Sequence, residues 1–445
     1  MNTPVYDFVR EYAASGTVRA HMPGHKGRGP LGCEALDLTE IAGADSLYED
    51  DGILLQSEQN AAALFGAGKT LYSAEGSSLC IRTMLYLAQL RRPDRPWILA
   101  ARNAHKVFLQ TCMLLGLDIT WLWDESESFS LCRAAVSAAQ VDSVLRANKV
   151  HPPIAVYLTT PDYLGNENDV AAIAETAHRY GVPLLVDNAH GAYLKFLSEP
   201  RHPMDCGADM CCDSAHKTFP VLTGGAYLHI GRRSPAEFGS LGKQAMAQFG
   251  STSPSYLILA SLDANNAVLA SSYPRDLAIW IQNMNRARTD LAAQGWSVLP
   301  TDQLKLTIEP GSRGYRGTEL ADLLRKAGVE CEYADPDDVV MMLTPCNQLE
   351  DLAHIVRFLG QLPARTPVVR PNLRLPPPET VCTPRYCLTA PREQIPAAEA
   401  EGRILAAPTM SCPPAVPAVV CGERISTEAV QVLTYYGTSS VWVLK

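Results

Sequence analysis

Lys217 lies in the run Ser214-Ala215-His216-Lys217-Thr218, directly after the apolar stretch Asp209-Met210-Cys211-Cys212 and Asp213. Asp187, 30 residues earlier, closes a second apolar stretch, Leu184-Leu185-Val186, and leads into Asn188-Ala189-His190-Gly191. A lysine amine forms a Schiff base with an aldehyde, and a strand-end carboxylate can keep a pyridine nitrogen protonated. The pair therefore suits pyridoxal 5'-phosphate (PLP), whose ring then acts as an electron sink. Two further groups fit the same cofactor. Tyr72-Ser73-Ala74-Glu75-Gly76-Ser77-Ser78 precedes a helical pattern. Gly76, the hydroxyls of Ser77 and Ser78 and the N–H groups of a helix start would form an anion cradle. His105, in Arg102-Asn103-Ala104-His105-Lys106, follows an apolar strand and would reach the same sheet edge to stack on the ring. Singly, each has an ordinary reading: a serine helix cap, an Asp in a turn, a surface Lys, a structural His. Their convergence is what points to PLP.

Positioning these residues requires strands that end side by side. From about 55 to 300, helix-like and strand-like segments alternate. Gln56 to Phe65 reads as a helix stopped by Gly66-Ala67-Gly68, and Ser78 to Gln89 as another. Trp97 to Ala100 is a short strand and Val107 to Leu115 a helix. Ile154 to Leu158, Val170 to Tyr180 and Pro183 to Val186 continue the alternation, and Thr223-Gly224-Gly225-Ala226 leads into a strand at Tyr227 to Ile230. This spacing implies an α/β fold with a mostly parallel sheet, whose ligands bind at the carboxyl ends of the strands. Beyond about 300 the strands Leu304 to Ile308 and Val339 to Leu343, with helices Thr318 to Ala327 and Gln348 to Leu359, predict a small α/β domain. The proline run Leu375-Pro376-Pro377-Pro378 then introduces a last segment. The expected division is an N-terminal arm at 1–40, a PLP-binding large domain at 41–300, a small domain at 301–370 and a C-terminal domain at 371–445.

The 445 residues are 47% hydrophobic and 19% charged, with a formal net charge of -9. That length exceeds one ordinary core, and the acidic balance without a Lys/Arg run argues against nucleic-acid binding. No signal peptide or membrane span is legible, so a cytoplasmic protein is expected. The thirteen cysteines follow no framework spacing and are read as reduced thiols. The group Cys206, Cys211, Cys212 and His216 lacks a CxxC pair and is read as buried small hydrophobes rather than a metal site. His21 and His25 are spaced i, i+4, but Pro23-Gly24 between them opposes a helix, so no metal is expected there either.

The chain resembles the fold-type I PLP enzymes of the Orn/Lys/Arg decarboxylase family. The resemblance runs through His21-Met22-Pro23-Gly24-His25-Lys26-Gly27, Asp45-Ser46-Leu47, Arg102-Asn103-Ala104-His105-Lys106 and Asp187-Asn188-Ala189-His190-Gly191. It continues through Ser214-Ala215-His216-Lys217, Thr252-Ser253-Pro254-Ser255-Tyr256, Ala400-Glu401-Gly402-Arg403-Ile404 and Cys412-Pro413-Pro414-Ala415-Val416-Pro417. It implies an aspartate aminotransferase-like large domain without the wing domain of the larger members. It also implies Lys217 as the Schiff-base lysine, Asp187 as the pyridinium partner and His105 stacked on the ring. Ser77, Ser78, Ser214, His216 and His190 would lie around the cofactor. Members build the site across a dimer interface, so Thr252, Ser253 and the arm would serve a neighbouring subunit. Three positions depart from the family pattern: Asn188 stands where Glu is common, Ala215 where Ser or Thr is usual, and Cys421-Gly422 where Pro-Gly is expected.

The implied reaction is decarboxylation of lysine, ornithine or arginine, with Lys217 or His216 returning a proton to the α-carbon. Tyr48-Glu49-Asp50-Asp51 is a candidate recess for a basic side chain. Two alternatives stay open: another PLP enzyme (an aminotransferase or a desulfurase-like lyase using Cys331 or Cys346) and a non-catalytic PLP-binding protein.

Overall fold

Apolar runs of four or five residues become strands buried on both faces when helices cover each side, and that governs the first half of the chain. The computed structural model describes residues 1–94, 96–124, 129–408 and 416–445. Residues 412–415 of the C-terminal signature lie outside them. In chain order the elements begin with helices α1 (Pro4–Ala14) and α2 (Gly52–Phe65), strand β1 (Lys69–Ser73) and α3 (Gly76–Arg91). There follow β2 (Trp97–Ala101), α4 (Lys106–Leu115), β3 (Asp118–Leu122), α5 (Ala138–Ala147), β4 (Val156–Thr159) and α6 (Val170–Arg179). Next come β5 (Leu184–Asp187), β6 (Met210–Asp213), α7 (Ala215–Thr218), β7 (Ala226–Ile230), α8 (Ala236–Ala247), α9 (Tyr256–Leu269) and α10 (Tyr273–Ala293). The remainder is β8 (Ser297–Leu299), β9 (Lys305–Glu309), α11 (Gly317–Lys326), β10 (Tyr333–Ala334), β11 (Val339–Met342) and α12 (Leu349–Gln361). It ends with α13 (Pro384–Thr389), β12 (Arg392–Pro396), α14 (Thr427–Tyr435) and β13 (Ser440–Leu444).

Two compact units emerge. The first comprises Met1–Leu99, Ser137–Thr160 and Asp169–Pro274; the second comprises Ala100–Val136, Pro161–Asn168 and Arg275–Lys445. In the first, the strands run in the order β1-β7-β6-β5-β4, with β2 starting beside β4. The β4–β5 and β5–β6 pairs are parallel, whereas β7 is antiparallel to both β6 and β1. The register aligns Thr159 with Asp187 and Asp187 with Cys212, so β4, β5 and β6 end at one edge. The last residue of β1, Ser73, pairs with the first of β7, Ala226, and brings the segments after β1 and before β7 to that edge too.

The arm's helix is seated by chemistry the apolar pattern does not display. Val5 and Val9 bury one face of α1, and the N–H groups of Val5 and Tyr6 at its start donate to the carboxylate of Asp263 in α9 at 2.8 and 2.9 Å. A buried carboxylate on a helix N-terminus satisfies donors that the helix itself leaves unpaired.

In the second unit, β10-β11-β9-β8 form an antiparallel sheet, and β12 and β13 a two-stranded one. Arg102, 1% exposed, joins Glu423 through two contacts of 2.7 and 2.6 Å, Nη1 to Oε1 and Nη2 to Oε2. Its Nε donates to the Pro417 carbonyl, and the rings of Trp121 and Trp123 lie 4.8 and 4.4 Å from its Cζ. A planar guanidinium suits this bidentate, stacked setting as an ammonium would not.

Candidate active site

The carboxyl edge of the first unit collects most of the residues singled out from sequence. Asp187 ends β5 at 2% exposure. The Tyr157 hydroxyl donates to its Oδ2 at 3.3 Å, the Ala189 N–H to Oδ1 at 3.2 Å, and the Cys212 thiol lies 3.5 Å from Oδ1. Burial, then the charge of Asp187, pushes the Tyr157 phenol well above its ordinary range, so it stays a donor. One strand over, β6 ends at Asp213 and the chain turns through Ser214 into the single-turn helix α7 that holds Lys217.

Lys217 is half-buried, and its Nζ lies 3.0 Å from Nε2 of His190, the third residue after Asp187. His216 turns the other way: its Nδ1–H donates to the Gly225 carbonyl at 2.9 Å, and its backbone N–H meets the same oxygen at 3.2 Å. That bond fixes the tautomer and leaves Nε2 as the imidazole's acceptor.

Helix α3 starts beside this turn. No side chain caps its N-terminus. Gly76 has φ +69°, and a Cβ placed there would meet nothing within 4 Å. The Gly76 N–H donates to the Gly224 carbonyl at 2.7 Å, which fastens the helix start to the turn before β7. Gly224 itself has φ +99°, and a Cβ on it would press to 2.9 Å from the Ala74 carbonyl, so only glycine closes this turn. The Ser214 hydroxyl donates to that of Ser77 at 2.9 Å, joining the lysine turn to the helix start. Thr252 and Ser253 lie exposed between α8 and α9. The neighbouring Ser251 N–H donates to Glu75 Oε1 at 2.6 Å, which ties that loop to the residue preceding Gly76.

His105 belongs to the second unit, where it is the N-cap of α4, its Nδ1 accepting from the Val107 N–H at 3.2 Å. Glu49, Asp50 and Asp51 are exposed, and Asp50 is paired with Lys69 at 2.8 Å. His25 lies 3.1 Å from Asp37, and His21 bonds the Tyr12 hydroxyl at 2.7 Å. Burial drives the thiols of Cys211 and Cys212 well above their ordinary range, the behaviour of packed small hydrophobes.

Sequence reasoning missed the network directly behind the edge. Asp213, fully buried, accepts at Oδ2 from Nε2 of His202 (2.9 Å) and of His229 (3.1 Å), and at Oδ1 from Asn188 Nδ2 (2.6 Å). His202, Cys211 and Asp213 have a metal-like grouping. However, the Met204 N–H donates to His202 Nδ1 at 3.3 Å, which leaves the ring's proton on Nε2, where a metal would need a lone pair. The signal available in sequence was an Asp preceding the Ser-Ala-His-Lys run, with no indication of which histidines would face it.

The residues present fit PLP. A buried carboxylate and an amine stand on adjoining strand ends, and an uncapped helix start with open space at Gly76 and two hydroxyls stands beside the amine. Residues 3–310 match the model of the Orn/Lys/Arg decarboxylase major domain, and residues 377–442 match that family's C-terminal domain. The chain belongs to the Orn/Lys/Arg decarboxylase family. Among its relatives, an arginine decarboxylase of Bacillus subtilis (strain 168) is 30% identical over 96% of this chain and 92% of its own length. An uncharacterized protein of the same organism, YaaO, is 30% identical over 98% and 94%. The Francisella novicida lysine decarboxylase LdcF is 15% identical with a TM-score of 0.80, covering 100% of this chain and 81% of that one. This likeness shows the α/β, fold-type I architecture expected from the sequence. Enzymes of this family and fold depend on PLP.

Proposed function

We propose that this protein is a PLP-dependent decarboxylase of a basic amino acid, lysine, ornithine or arginine, releasing CO2 and the polyamine-type amine. The observation that supports it is the placing of Asp187 and the Lys217 turn on adjoining strand ends, with the uncapped start of α3 alongside, in a chain of this family. Two of the similar proteins are an arginine decarboxylase and a lysine decarboxylase.

In this reading Lys217 holds the cofactor through its amine. Asp187 would keep a proton on the pyridine nitrogen, its carboxylate held in place by the Tyr157 and Ala189 donors. Gly76, Ser77, Ser78 and Ser214 would receive the phosphate at a helix start that favours anions, and His105 is the residue that the family resemblance assigns to the ring. PLP, when bound, supplies an electron sink for the pair left on the α-carbon as CO2 departs. Lys217 then returns the proton to that carbon, its Nζ kept oriented by His190, while His216 is engaged with the Gly225 carbonyl. Thr252, Ser253 and the arm serve a neighbouring subunit in a homodimer or larger assembly. The enzyme acts in the cytoplasm in polyamine synthesis; among the described residues no helix is long and apolar enough to cross a membrane. The desulfurase alternative is disfavoured at Cys331, whose thiol burial pushes up to about 11, far from a reactive thiolate.

The test is to purify the protein, record its visible spectrum with PLP, and screen lysine, ornithine and arginine for CO2 and amine. PLP absorbance with release from one of the three is the expected result. PLP absorbance with no release from any amino acid would replace the enzyme with a PLP-binding protein.

A further inference from the structure

The two carboxylates at the strand ends differ in what surrounds them. Asp187 accepts from the Tyr157 hydroxyl and the Ala189 N–H, whereas Asp213 is fully buried and accepts from His202, His229 and Asn188. Burial alone would raise Asp213, but the His202 and His229 imidazoles beside it more than offset this and hold it well below the usual carboxylate range. Burial lowers His229 in turn, keeping that ring neutral. Asp213 is therefore a fixed anion.

Asn188 grips the end of β6 at two points. Its backbone N–H donates to the Cys212 carbonyl at 2.9 Å, and its side-chain Nδ2 to Asp213 Oδ1 at 2.6 Å. It is the residue after Asp187, and Asp213 lies in the strand end from which the Lys217 turn departs. The amide has only one workable orientation, since reversing it would set its oxygen against the Asp213 carboxylate. At 1% exposure no water replaces a lost partner cheaply.

We propose that Asn188 is a positioning residue matched to Asp213: their side-chain hydrogen bond locks the strand end carrying Asp187 to the strand end leading to Lys217, and so sets the two cofactor anchors relative to each other. This rests on the PLP reading above. A carboxylate at position 188 would meet Asp213 at contact distance, and two anions cannot share that space without taking up a proton. Exchanging the two side chains would restore the fit. An Asn at 213 could accept from both imidazoles through its oxygen and donate through its Nδ2 to an Asp at 188.

The experiment uses the full chain and reads cofactor affinity by titrating PLP against visible absorbance, below the thermal transition of every variant. Asn188→Ala and Asn188→Asp are each expected to weaken PLP binding by about tenfold to a hundredfold, the range for a hydrogen bond to a charged group. The Asn188→Asp/Asp213→Asn exchange is expected to return to within about threefold of wild type. With the substrate found by the screen, the single variants should lower kcat more than they change KM, because the anchors and not the substrate contacts have moved. If Asn188→Asp fails to fold, Asn188→Ala and the exchange still decide the matter. Unchanged PLP affinity in Asn188→Ala, or no recovery in the exchange, overturns the proposal while leaving the proposed function standing. A wild type that binds PLP but decarboxylates nothing removes the function and leaves the affinity comparison intact. A wild type that does not bind PLP overturns both.

Discussion

Replacing Glu423 by Gln tests a buried ion pair that pins the C-terminal segment. Arg102 and Glu423 are 1% and 2% exposed, so neither charge has a solvent alternative. The substitution keeps the shape but removes the charge and turns one of the two acceptors at 2.7 and 2.6 Å into a donor facing the guanidinium. Arg102 then keeps one amide oxygen at position 423, the Pro417 and Ala418 carbonyls and the two indole faces, all of them uncharged. Removing one member of a buried ion pair costs about 3–5 kcal/mol. For a body the size of the second unit, each kcal/mol moves the thermal midpoint by about 2–4 °C, so a fall of roughly 6–20 °C is expected. Because the penalty belongs to the stranded charge, Arg102→Met/Glu423→Leu should lie much nearer wild type than Glu423→Gln. Thermal melts followed by circular dichroism and by the fluorescence of the tryptophans check both. A drop under about 2 °C for Glu423→Gln, or a double variant as unstable as the single, would refute the reasoning.

Further outcomes are expected. Lys217→Ala should no longer be fixed to PLP by borohydride; persistence of that label in peptide mapping would remove Lys217 as the anchor. His216→Asn keeps a donor for the Gly225 carbonyl and should lose less than about tenfold in kcat. A loss beyond about a hundredfold, the scale of general acid catalysis, would make His216 the proton donor instead of Lys217. Asp338 is pushed up to about 8, by burial and then by Asp335, from the ordinary 3.8. The folded protein thus holds a proton there that the unfolded chain releases. That stabilisation is complete below the unfolded value and is lost as pH rises through about 8. The wild-type thermal midpoint should therefore fall between pH 6 and 9, and Asp338→Asn should flatten the fall; parallel slopes in melts across that range would contradict it. Asp162 and Asp263, each pushed up to about 6, titrate below most of that window.

Local patterns in the sequence determined a good deal by themselves. The apolar runs at 184–186 and 226–228 became buried strands, because β-rich stretches without period suit only a sheet covered on both faces. Gly66 and Gly116 stop α2 and α4 in left-handed conformations that favour glycine. Asp187, Gly76, Ser77, Ser78 and Lys217 were legible as a set, with His105 read beside them, because strand ends in an α/β fold share an edge. Other features were decided only by the tertiary structure. Strand β1, Lys69–Ser73, mixes polar and apolar residues and takes its form from its pairing with β7, more than 150 residues away in sequence. The short strands β8 and β10 likewise exist by pairing with β9 and β11. The seat of α1 on Asp263, the clasp of Arg102 on Glu423 and the hold of Asn188 on Asp213 each join a polar group to a partner that no local spacing marks. Burial makes such a partner obligatory, since a desolvated polar group must be satisfied, but only the folded chain decides which residue supplies it.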